Sequence, residues 1–119
     1  MTPTTSPEPQ SALRPHEEIS AALALAATDR LSAGRYGRGV IGALRWATGG
    51  RVTAPITASA PMDAGRPCAL RVAEEYRAAR GELLGHAGRT VELDFARGVH
   101  DTLAWVCGGP DGPPTLTGR

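Results

Sequence analysis

The chain contains no lysine and no asparagine, and its single glutamine, Gln10, lies in the first ten residues. Without lysine there is no GxxxxGK(S/T) phosphate loop, because that loop needs a lysine to reach the terminal phosphates. The run GRYGRG at 34–39 resembles a glycine-rich loop only in its letters. No strand pattern precedes it, and Tyr36 and Val40 fit a helical stripe. Without asparagine, the body of the chain also lacks a favoured reader of adenine edges.

Other absences narrow the chemistry. Cys68 and Cys107 are isolated, without CxxC spacing. The expectation is two reduced structural thiols, since a disulfide would need an oxidising compartment that nothing in the sequence indicates. His16, His86 and His100 are scattered. His100 and Cys107, seven apart on one helix face, give only two ligands where zinc takes three or four, so no metal and no cofactor are expected. Cys107 with either His86 or His100 is a poor nucleophile–base pair, because a helix C-terminus disfavours the thiolate. Glu74, Glu75, Glu92 and Asp94 lie near Arg71, Arg77, Arg80 and Arg89 in sequence and read as surface ion pairs. No catalytic residue is assigned, and the chain is read as not an enzyme.

No basic segment followed by an apolar stretch opens the chain, and no apolar run approaches a membrane span. The expectation is a cytoplasmic protein without membrane contact. The formal net charge of +1 gives no global pull toward nucleic acid or anionic lipid. Abundant alanine, glycine, proline and arginine beside the missing lysine and asparagine point to a GC-rich, bacterial coding source. The same bias weakens any argument from arginine chosen over lysine.

The chain's strongest positive feature is its resemblance to itself. Residues 36–57 read YGRGVIGALRWATGGRVTAPIT and residues 95–116 read FARGVHDTLAWVCGGPDGPPTL. At a constant offset they share Arg38/Arg97, Gly39/Gly98, Val40/Val99, Leu44/Leu103, Trp46/Trp105, Gly49-Gly50/Gly108-Gly109 and Pro55/Pro114, with Tyr36 matching Phe95 ring for ring. Both tryptophans of the chain fall at one place in the motif. Biased composition inflates matches at Ala, Gly and Arg, but it does not pair Trp, Leu, Val and Pro in one register. Such self-similarity points to a repeated architecture.

At 119 residues there is room for one domain. Residues 1–14, rich in Pro, Ser and Thr, are expected to be a disordered tail. A first helix opens at Pro15, with Glu17 and Glu18 in its first turn and a stripe of Ile19, Leu23, Ala26 and Ala27, and stops near Gly34. A second runs from about Arg35 to Thr48 on Tyr36, Val40, Ala43, Leu44 and Ala47. Residues 51–66 form a linker, with a short extended piece at 52–57. A third helix starts near Pro67 on Ala69, Val72, Ala73, Tyr76, Ala79 and Leu83, with Gly81 and Gly85 weakening its second half. A fourth covers about Thr90 to Cys107 on Val91, Phe95, Val99, Thr102, Leu103 and Val106, although Val91, Leu93 and Phe95 also alternate like a strand. The C-terminal tail, 110–119, is expected to be flexible.

These elements make hairpins at 15–50 and 67–109, each with an apolar stripe it cannot bury alone. The expected fold is all-α: two αα-hairpin repeats packed as a small pseudo-twofold four-helix bundle spanning 15–109. Packing two chains as a homodimer would bury the same stripes.

Function is less legible. Gly39 and Trp46 are seven apart, as are Gly98 and Trp105, so each pair shares a helix side. A helix-interior glycine costs about 1 kcal/mol relative to alanine, so its use twice suggests a closely approaching helix. Tyr36, Trp46, Phe95 and Trp105 are therefore candidates to hold or present a protein interface, with ordinary core packing as the alternative. Arg30, Arg35, Arg38, Arg45 and Arg51 fall in a stretch with no Asp or Glu, whereas Arg97 has Asp94 and Asp101 at helical spacing to neutralise it. The leading expectation is a non-enzymatic binding or adaptor module working through an unidentified protein partner. The alternative is a nucleic-acid-binding accessory protein using Arg35, Arg38, Arg45 and Arg51.

Overall fold

The computed structural model describes residues 13–29, 34–50, 53–58, 67–85 and 92–109. Within them lie four helices and no strand: α1 (His16–Ala27), α2 (Arg35–Ala47), α3 (Ala69–Leu84) and α4 (Leu93–Val106). The centre of the molecule is α2 packed on α4, with α1 laid against α2 and α3 against α4. The chain folds as the all-α bundle its periodicity implies.

Local chemistry sets the helix ends. Pro15 stands at the N-cap of α1, with Glu17 and Glu18 in the first turn, where carboxylates suit the helix dipole. The fourth helix starts at Leu93, later than the expected Thr90. Its cap is Glu92, whose carboxylate accepts from the amides of Asp94 (2.8 Å) and Phe95 (3.1 Å). That cap separates Leu93 and Phe95 from any strand pattern. Residues 86–91 lie outside the described ones, as do 1–12, 30–33, 51–52, 59–66 and 110–119. The expected tail stretches at 1–12 and 110–119, most of the linker, Val91 and Arg51 fall there.

The ends of α2 and α4 close in the same way. Gly49 (φ 88°) and Gly108 (φ 95°) take the left-handed conformation that a Cβ disfavours. Gly49 N–H donates to Trp46 O (3.1 Å) and Gly50 N–H to Arg45 O (2.7 Å). Gly108 N–H donates to Trp105 O (2.9 Å) and Gly109 N–H to Ala104 O (3.0 Å). Both are Schellman closures built by the paired Gly-Gly of the sequence motif.

The core gathers Ile19, Val40, Ala43, Leu44, Val72, Ala79, Val99, Leu103 and Val106, with both tryptophans. The expected stripes of α2 and α4 are the observed ones. Those of α1 and α3 are shifted. Ala22 is buried in α1 while Ala27 is exposed, and the inner face of α3 is Val72, Glu75, Ala79 and Glu82.

Glu75 corrects the expectation of a surface ion pair: it is 2% exposed. Its carboxylate accepts from the amides of Ile56 and Thr57 (3.1 Å) and from the Thr57 hydroxyl (2.9 Å). Residues 55–57 therefore form a turn, not the extended piece expected, and Ala54 beneath it is buried. A carboxylate can be buried here because three donors replace its water.

Residue 14 also departs from the expected tail. Arg14 N–H donates to Val106 O (2.9 Å), its Nε to Trp105 O (2.6 Å), and its Nη2 to Gly109 O, while the guanidinium lies 4.7 Å from the Trp105 ring centre. Residue 14 thus donates to Val106 and Trp105 in the last turn of α4 and to Gly109 just beyond it, and its guanidinium stacks on the ring there.

Candidate functional site

The α2–α4 crossing positions everything else. Gly39 and Gly98 meet there reciprocally. A Cβ on Gly39 would overlap the Phe95 carbonyl, and one on Gly98 would overlap the Tyr36 carbonyl, with each glycine's Cα 3.1 Å from the other's added atom. The two glycines let the backbones touch, which is the close helix approach the motif asks for.

Around this crossing the candidate aromatics take two roles. Trp46 and Trp105 are 6% and 5% exposed and pack in the chain's own core. They hold the bundle and present no surface. Tyr36 and Phe95 are partly buried beside them.

Tyr36 belongs to a polar cluster that joins three helices. Its hydroxyl donates to Asp101 Oδ2 at 2.8 Å, and His100 Nδ1 stands 3.0 Å from Asp101 Oδ1. A carboxylate only accepts, so the Nδ1–H of His100 is the donor. The His100 ring stacks on Tyr76 of α3 at 4.9 Å. Burial, the hydrogen bond to Asp101 and that carboxylate's charge hold the Tyr36 proton well above the ordinary tyrosine value, while Arg97 pulls the other way. Such a tyrosine is a donor and a clamp rather than an activated base. Asp101 therefore serves Tyr36 and His100, where its spacing suggested Arg97. No signal in the sequence marked this cluster, because Tyr36 comes from a different hairpin than Tyr76, His100 and Asp101.

The arginines separate. Arg35 stands 4.0 Å from Glu92, across the bundle from α2 to the cap of α4. Arg38 and Arg45 are exposed, seven apart on one face of α2, and make no ion pair among the described residues. Arg51 lies outside those residues.

Sequence reasoning missed the outer surface. Leu25 is 74% exposed on α1, and Leu70 and Leu84 are 62% and 57% exposed on α3. Leu25 and Leu84 stand at the same constant offset that pairs Trp46 with Trp105. A usable signal was present. The helix HEEISAALALAA is apolar on most sides, and a helix with one main neighbour must leave part of that surface uncovered.

The remaining chemistry is sparse. Cys68 and Cys107 are both free and exposed, and partial burial raises the Cys107 pKa. No group of three or more His, Cys, Asp or Glu converges as a metal site among the described residues. An open groove of about 770 Å³ runs between the starts of α1 and α3 and is lined by Leu13, Ile19, Ala47, His16 and Cys68. His16 is bonded to Ser20 at 3.2 Å, so the groove gathers no reacting set. No described helix is long and apolar enough to cross a membrane.

Comparison with known protein families, characterised proteins and solved structures finds no match to this chain.

Proposed function

We propose that the chain is a non-enzymatic binding or adaptor module that acts through protein–protein contact on the outer faces of α1 and α3. The carrying observation is the inversion of its large side chains. The tryptophans sit in the core, while Leu25, Leu70 and Leu84 point to solvent. Scattered exposed leucines are ordinary. Leu70 and Leu84 instead share the outward face of α3, and Leu25 stands exposed on α1. Apolar helix faces are read by partners at i, i+4 and i+7 spacing.

The test is site-specific photo-crosslinking in cells that make the protein. A crosslinking residue at Leu25 or Leu84 is expected to trap discrete adducts that vanish when Leu70 and the remaining leucine become Asp. The same residue at Arg45 should trap none of them. Equal trapping at all three positions, or none at the leucines, refutes the reading.

A second reading rests on the exposed Arg38 and Arg45, which have no ion-pair partner among the described residues and lie on a helix without a carboxylate. It makes α2 a phosphate-contacting face for nucleic acid. Fluorescence anisotropy of a labelled DNA duplex at low and near-physiological salt decides it. Binding that weakens steeply with salt and on Arg38→Gln/Arg45→Gln supports it, and no binding at low salt removes it.

A further inference from the structure

We draw no further inference here: the strongest candidate, the open groove between the starts of α1 and α3 with Cys68 at the N-terminus of α3, rests on a lone cysteine and a helix start without a side-chain cap beside an apolar wall, and nothing among the described residues shows what fills it.

Discussion

Gly39 and Gly98 face each other where α2 crosses α4, the Cα of each lying 3.1 Å from where a β-carbon on the other would be. The crossing therefore specifies glycine twice. Gly39→Ala and Gly98→Ala are each expected to destabilise the fold by about 2 kcal/mol, because overpacking a helix contact outweighs alanine's better helix propensity. Chemical denaturation measures it. Gly81→Ala, with open space around it, should instead leave the monomer as stable or up to about 1 kcal/mol more stable. Equal effects at the three glycines would contradict the crossing.

The Tyr36–Asp101 bond predicts an alkaline limit. The Tyr36 hydroxyl titrates above its unfolded value of 10.0. Between those two values the unfolded chain has released a proton that the folded chain retains. The stabilisation is thus complete below pH 10 and falls as pH rises further. The chain has no lysine to blur this window. Phenolate absorbance should show one tyrosine titrating late, and Tyr36→Phe should remove both that late step and its share of the stability loss above pH 10.

Glu75 holds the 53–58 turn against α3 through Ile56 and Thr57. Glu75→Ala strands two amides and a hydroxyl and should cost about 2–3 kcal/mol. Hydrogen exchange should quicken at the Ile56 and Thr57 amides more than in α2. Unchanged protection there would mean the turn is held by something else.

Arg14 stands at the end of α4, over Trp105. Arg14→Ala is expected to cost about 1–2 kcal/mol through lost capping and stacking, and to shift the Trp105 fluorescence. Trp46→Ala or Trp105→Ala should cost about 3–5 kcal/mol as core deletions. An Arg14→Ala protein with wild-type stability and fluorescence would return residue 14 to the tail.

Thr102 is fully buried, and its hydroxyl has no hydrogen-bond partner among the described residues. Replacing that hydroxyl with a methyl group of like shape removes a desolvated polar atom. Thr102→Val should therefore raise stability by about 1 kcal/mol in thermal melts. A loss of similar size would show that the hydroxyl is in fact bonded.

The sequence by itself determined the helices, their order, and the inward stripes of α2 and α4. Their period of 3.6 residues and their Gly-Gly stops are local properties that need no neighbour to be read. It also marked Gly39 and Gly98 through the motif, because a glycine placed twice inside a helix has few other uses. Tertiary structure decided what depends on which helix lies next to which. Glu75 turned inward because a distant loop supplies its donors. Asp101 chose Tyr36 and His100 over Arg97 because the crossing brings α2 within 2.8 Å of it. The tryptophans went to the core, and Leu25 and Leu84 to the surface, for the same reason. Periodicity tells which residues share a face, but only packing tells which faces find a partner inside the chain.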